Sequence, residues 1–249
     1  MLPHSTSSFR RNRWLALAIG NSRLHWARFD GDRLQTAWDE AHRPPTVAEL
    51  SDDTPLWIAS VVPPQLQLWQ SRPNTHIFTL DRVPLGGTYP TLGIDRALVA
   101  WGAGMRWGFP VLAIDAGTAL TFTAVDGDRQ LVGGAILPGL GLQLRTLARN
   151  TADLPAIEID RSLPPRWAGD TPTAIHSGVL YVLLAGLRDF IETWQQQFPH
   201  SAIALTGGDG KLLCEALHRQ FSHLDRAISF DPHLLFRGMQ HLVTLGREK

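Results

Sequence analysis

The 249-residue chain is almost without lysine: of its 23 basic residues only Lys211 and Lys249 are lysines, and the rest are arginine. A phosphate loop of the lysine-dependent kind is thereby excluded, because Lys211 follows Gly210 but precedes Leu212 where Ser or Thr is required. Cysteine is as scarce. The single Cys214 cannot form an internal disulfide, so a cytoplasmic location is expected. No charge of one sign dominates: 23 acids balance 23 bases, and no basic stripe marks a nucleic-acid footprint. The longest apolar stretch, residues 179–187, falls well short of the roughly 20 residues of a membrane span, so no membrane partner is expected. The ten histidines show no metal-ligand spacing, and no Cys-x-x-Cys exists, which argues against zinc. Paired acids, a Ser-His-Asp order and a dinucleotide glycine motif after a strand are also lacking. The chemistry is narrowed to phosphoryl transfer or plain binding.

What is present is an ordinary composition for a folded chain, 44% hydrophobic and 18% charged, long enough for one large domain or two small ones. Residues 1–13 are rich in Ser and Arg, free of acids and without the apolar stretch of a secretory signal, and are expected to be a disordered leader. Beyond them lies a weak internal repeat. Residues 14–33 read WLALAIGNSRLHWARFDGDR and residues 110–129 read PVLAIDAGTALTFTAVDGDR. Each copy has an apolar run, a small Gly-polar turn, a second β-rich run and then Asp-Gly-Asp-Arg. Asp-Gly is a hairpin signal, because a type I′ turn needs positive φ at its central residues. Antiparallel hairpins are expected from 15–19 with 24–29 and from 111–114 with 120–125. Gly20 and Gly117 are 97 positions apart and Asp30 and Asp126 are 96 apart, so the copies fit with a one-residue gap.

After each hairpin, strands alternate with helices. Strands are expected at 57–62 and 76–80, with a helix at 94–107. In the second half a helix at 140–149 is followed by a proline-broken connector. Apolar residues at Ile175, Val179, Leu183, Leu187, Phe190, Ile191 and Trp194 then keep a 3.6-residue period up to Pro199. A strand at 202–205, a helix at 211–219, a strand at 227–230 and a helix from His233 to about Leu245 complete the pattern. The expected architecture is α/β, in two tandem halves at 14–109 and 110–249 with a ligand cleft between them.

Four short segments carry candidate chemistry. At Asp115-Ala116-Gly117-Thr118 a carboxylate, bare amides and a hydroxyl could face phosphate and metal together, although in isolation an Asp that bonds its own turn is the commoner arrangement. The matching turn at Gly20-Asn21-Ser22 favours the phosphate reading. Gly93-Ile94-Asp95-Arg96 opens a helix: Asp95 is either a cap or a proton acceptor, while Arg96, unfavourable to the dipole there, suggests an anionic partner. Thr171-Pro172 reads as an N-cap followed by proline at the first helical position. Thr206-Gly207-Gly208-Asp209 is a bare strand-to-helix turn.

These residues resemble the type III pantothenate kinases, members of the superfamily that includes actin, Hsp70 and the sugar and acetate kinases. The matching stretches are IGNSRLHW from Ile19, LGIDR from Leu92 with Gly102-Ala103, DAGTALT from Asp115, GGAILPGL from Gly133, TPTAIHSG from Thr171 and TGG from Thr206. They stand in family order and cover nearly all of the chain from Trp14 onward. The resemblance implies a duplicated ribonuclease H-like (actin-like ATPase) fold and transfer of the ATP γ-phosphate to the primary hydroxyl of pantothenate, the first step of coenzyme A synthesis. It implies that Asp95 is the general base and that Gly93, Ile94, Arg96, Thr171 and Tyr89 contact pantothenate. Tyr89 directly precedes Pro90, a displaced position for the family's aromatic residue. The same resemblance gives Gly20, Asn21, Ser22 and Arg23 as the first phosphate loop, Thr118 as an ATP contact and Asp115 as holder of a monovalent cation, potassium or ammonium. A cytoplasmic homodimer working with ATP and magnesium is implied as well.

One departure stands out. The family's first motif begins with Asp, expected to help hold magnesium, where this chain has Ala18; the repeat shows the same difference, since Ala18 takes the place of Asp115. Asp30, Asp32 and Asp126 lie at hairpin tips and are poor substitutes. An active kinase and a catalytically impaired kinase-like regulator or binding protein are therefore both open from the residues.

Overall fold

The computed structural model describes residues 13–160, 162–224 and 228–247. The expected leader thus lies outside the described residues except for Arg13, which opens the first strand. The chain forms two compact units. One holds the residues through Pro84, Pro90–Leu98 and the segment from Leu235 onward; the other holds Leu85–Tyr89 and Val99–Leu234. Compared with halves at 14–109 and 110–249, residues 85–89 and 99–109 group with the second unit, and the C-terminal segment with the first.

The first unit is built on β1 (Arg13–Ile19), β2 (Leu24–Asp30), β3 (Arg33–Glu40), the short α1 (Val47–Leu50), β4 (Leu56–Ser60), α2 (Pro63–Trp69), β5 (Thr75–Ile77) and the opening turns of α3 (Ile94–Trp107). Its sheet runs β3-β2-β1-β4-β5, antiparallel through the first three strands and parallel from β1 to β4 and β5. The central strand β1 is buried on both faces, which is why its sequence reads as an unbroken apolar run. On one face Leu17, Ile19, Leu24, Trp26, Leu56, Ile58 and Trp69 form a core cluster. Trp14 stacks on Phe29 with centroids 4.1 Å apart, and its indole N–H donates to the Gly31 carbonyl at 2.9 Å, pinning the far end of the hairpin.

The second unit repeats the plan with β6 (Val111–Ala116), β7 (Ala119–Val125), β8 (Leu131–Pro138), α4 (Leu140–Asn150), α5 (Thr171–Gln197), β9 (Ala202–Thr206), α6 (Gly210–Gln220) and β10 (Ile228–Phe230). The order β10-β9-β6-β7-β8, with the same parallel and antiparallel pairings, is that of the first sheet. The last helix, α7 (Leu234–Arg247), belongs almost wholly to the first unit, where a Cβ on Gly238 would run into the Leu98 carbonyl of α3. Thr244 of α7 donates to Asp32 at 2.9 Å, and the Asp126 carboxylate accepts from the N–H groups of Asp128 and Gln130. Two of the hairpin-tip acids are therefore spent on structure.

The expected hairpins form, and the pairing places the gap. Ala18 opposes His25 and Asp115 opposes Thr121, so the first strands are offset by 97 and the second by 96. The extra residue therefore lies in the first turn. Each hairpin continues into a third strand that periodicity alone did not reveal. The reason is composition: β3 is a polar, half-exposed edge strand, and β8 is interrupted by Gly133-Gly134. The Asp-Gly quartets also turn differently. Gly31 takes φ +57, whereas in the second copy the left-handed residue is Arg129 at φ +61, in a wider loop closed by Asp126. The helix at α2, started by two prolines, was likewise too short to show a period.

Helix α5 is capped one residue earlier than Thr171-Pro172 suggests: Asp170 is the N-cap, its carboxylate accepting the Thr173 N–H at 2.9 Å, and Thr171 is the first helical residue. By length and composition α5 could cross a membrane, with 27 residues and a mean hydropathy of 1.4 in its most apolar window. Half of that window is buried, and Leu180, Leu183, Leu184 and Leu187 belong to the core of the second unit. That is the pattern of a core helix.

Candidate functional site

In the first unit the candidate residues gather where β1 and β4 end. The four-residue turn Gly20–Arg23 closes with Gly20 N–H donating to the Arg23 carbonyl at 3.1 Å, leaving Asn21, Ser22 and Arg23 exposed. Just beyond β4, the Val61 N–H donates to the Ile19 carbonyl at 3.1 Å, so this segment is tied to the end of β1. Asp95, in the first turn of α3, comes close to the same place. A Cβ on Gly93 would collide with the Asp95 carboxylate and stand 3.7 Å from Val61, so the carboxylate has room only because residue 93 is glycine.

Burial lifts the Asp95 carboxyl above its ordinary range, outweighing the Arg96 N–H at 2.8 Å, the Arg96 charge and its own N–H, all of which pull it down. A carboxylate held this way is a stronger proton acceptor than an exposed one. Arg96 itself is buried, at 7% exposure, an unusual setting for a guanidinium.

Two histidines that sequence reasoning passed over flank the first turn. His42 Nε2 donates to the Gly20 carbonyl at 2.8 Å. Its loop is held by Arg43, which pairs with Glu40 at 2.9 Å and with Glu49 at 2.7 Å, while Thr46 and Glu49 cap α1 reciprocally. His25 stands opposite Ala18, its Nδ1 lies 2.7 Å from Asp39 Oδ1, and its Nε2 is 3.4 Å from where a Cβ on Gly20 would be. In the sequence His25 is marked only by its closeness to the turn, and His42 by nothing.

In the second unit Asp115 ends β6 among bare backbone. Gly207, at φ +91, presents its missing Cβ 2.5 Å from Asp115 Oδ1 and 2.5 Å from the Ala116 carbonyl carbon. Any side chain there would displace the carboxylate. Asp209 N–H donates to the Ala116 carbonyl at 2.9 Å and Gly139 N–H to the Thr118 carbonyl at 2.9 Å, so the turns after β9, β6 and β8 meet. Gly139 caps α4 without a side chain; the Asp209 carboxylate accepts the Gly141 N–H instead. Burial raises the Asp209 carboxyl, opposed by that N–H and by the Arg145 charge. Asp209 and Arg145 are further candidate residues, which nothing in the sequence pairs.

Asp115 with small neighbours suits a cation bound by one carboxylate and backbone oxygens. Among the described residues no cluster of three or more His, Cys, Asp or Glu could hold a metal by side chains alone. The first unit does not fit magnesium in the expected manner: Ala18 offers no side-chain oxygen, and the Asp39 carboxylate in the same row is engaged by His25. Tyr89, 41% exposed, stands before Pro90, and Thr171 is exposed at the start of α5.

A five-stranded sheet of order 3-2-1-4-5 occurring twice, each copy with a small-residue turn after its first strand, defines the actin-like ATPase fold. Solved structures agree: a Campylobacter jejuni protein named as a Baf family transcriptional activator (TM-score 0.67, 20% identity, covering 94% of this chain and all of that one) and MreB5 of Spiroplasma citri bound to ADP (TM-score 0.54, 9% identity, 96% and 98%). The model of the type III pantothenate kinase family matches residues 14–193. Proteins named type III pantothenate kinase from Nostoc sp. PCC 7120 and Synechococcus sp. JA-3-3Ab are each 47% identical to it, covering 98% and 96% of this chain and 99% and 96% of their own lengths. The chain belongs to the type III pantothenate kinase family.

Proposed function

We propose that this chain, as a member of that family, phosphorylates pantothenate with ATP through Asp95. The reaction is the ATP-dependent formation of 4′-phosphopantothenate in coenzyme A biosynthesis. The observation that carries the assignment of Asp95 is its half-buried carboxylate beside the end of the first sheet, given space by Gly93 and raised by desolvation. Asp95 accepts the proton of the primary hydroxyl as that oxygen bonds the γ-phosphorus, and the bond from that phosphorus to the bridging oxygen breaks to release ADP. Gly93, Ile94, Arg96, Thr171 and Tyr89 orient pantothenate, with Arg96 drawn to its carboxylate. Gly20, Asn21, Ser22, Arg23 and Thr118 contact the nucleotide phosphates. Asp115 holds a potassium or ammonium ion, which adds positive charge where phosphate charge develops. Magnesium enters as the ATP complex. The working form is a cytoplasmic homodimer.

A regulator without catalysis was the alternative that Ala18 raised; full-length kinase relatives at 47% identity favour the enzyme. A coupled ADP-release assay with and without pantothenate, run in potassium and then in sodium, tests the proposal. Pantothenate-dependent ADP release stimulated by potassium is expected, and none in any cation mixture overturns it.

A further inference from the structure

The first sheet lacks a carboxylate on its central strand, yet the row through that position is not bare. Ala59, Ala18, His25 and Asp39 are consecutive register partners across β4, β1, β2 and β3, so their side chains share one face. Asp39 can only accept, so the 2.7 Å contact puts the shared proton on His25 Nδ1 and fixes the ring. Nε2 then points at the first turn, 3.4 Å from the Cβ position of Gly20, and has no hydrogen-bond partner among the described residues. The His25 side chain is 41% exposed, so a ligand at the turn can reach it.

We propose that His25, oriented by Asp39, binds a phosphate oxygen of ATP directly at the Gly20–Arg23 turn and takes over the anchoring that a carboxylate at position 18 would achieve through magnesium. Imidazole is a poor magnesium ligand, since that ion prefers oxygen, but its protonated form donates a charge-assisted hydrogen bond to phosphate. The assignment rests on the reading of this turn as a phosphate loop.

The test is ATP binding to the full chain by calorimetry, once with magnesium and once in EDTA, together with KM and kcat, for wild type, His25→Gln, Asp39→Asn and the turn variant Ser22→Ala. His25→Gln is expected to weaken ATP binding roughly tenfold or more, with and without magnesium, the loss falling on KM for ATP and not on KM for pantothenate. Asp39→Asn, which keeps an acceptor but removes the charge that supports a protonated ring, is expected to give a smaller loss of the same kind, and decides the matter if His25→Gln does not fold. An effect seen only with magnesium, or one on kcat with KM for ATP unchanged, overturns the assignment. If Ser22→Ala weakens ATP binding while both row variants leave it unchanged, the role of His25 falls alone. If all three variants bind ATP like wild type, the phosphate-loop reading falls with it.

Discussion

The same five-stranded sheet occurs twice in this protein, and the row of residues crossing each central strand at its end differs in kind. In the second sheet the row is Thr206, Asp115, Thr121 and Ile136: an acid at the centre, hydroxyls on either side, an apolar residue at the edge. In the first it is Ala59, Ala18, His25 and Asp39: small residues at the centre, with the acid moved to the edge and a histidine turned inward from it. One backbone plan therefore carries an anionic row in one unit and a row that presents a nitrogen in the other. Duplication preserves the pairing because register is set by the buried faces of the strands, whereas the residue at a solvent-reaching end of a strand is free to change.

If the catalytic proton acceptor belongs to the first unit, Asp95→Asn should have the largest effect, a fall in kcat of roughly 10²–10⁴-fold with substrate binding retained, measured by coupled assay. The same variant separates chemistry from folding. Burial raises the Asp95 carboxyl in the folded chain, so the folded state holds that proton more tightly than the unfolded state. The stability it contributes is full below the ordinary carboxyl range and is lost as pH climbs through the raised value. At neutral pH Asp95→Asn should therefore raise Tm slightly while slowing turnover, and the gain should vanish in acid.

Making the second row resemble the first, by Asp115→Ala, should cost about a hundredfold in kcat and remove the dependence on potassium. Gly207→Ala strikes the same carboxylate through the backbone: φ +91 and a Cβ 2.5 Å from Asp115 Oδ1 should destabilise the chain by about 1–3 kcal/mol, visible as a lower Tm. The smallest change is expected from making the first row resemble the second. Ala18→Asp would set a carboxylate opposite His25, pairing with it, and KM for ATP should rise about two- to fivefold without a gain in kcat.

Much of the fold was legible because it is written in local patterns. The helix at 94–107 matches α3 residue for residue, and the repeat located both hairpins. What was missed lacked such a pattern: β3 is an exposed edge strand, and the cap of α5 is Asp170 because an aspartate three residues before an amide outcompetes the threonine beside it. Among the candidate residues, Asp95, Arg96, Asp115 and the small turns stand out by residue type close to glycine. His25, His42 and Arg145 do not, since a lone histidine or arginine has the same sequence signature whether it faces a ligand or water.

The sequence alone determined the duplicated α/β plan, the absence of a lysine-dependent phosphate loop and the family, because strand and helix periods and motif order are properties of contiguous residues. Only the tertiary structure decided that His25 lies in one row with Ala18 and Asp39, that Gly207 makes room for Asp115 and that Asp209 caps α4. Each of these is a meeting of segments separated along the chain, set by strand register and close packing, to which the period of any one segment is blind.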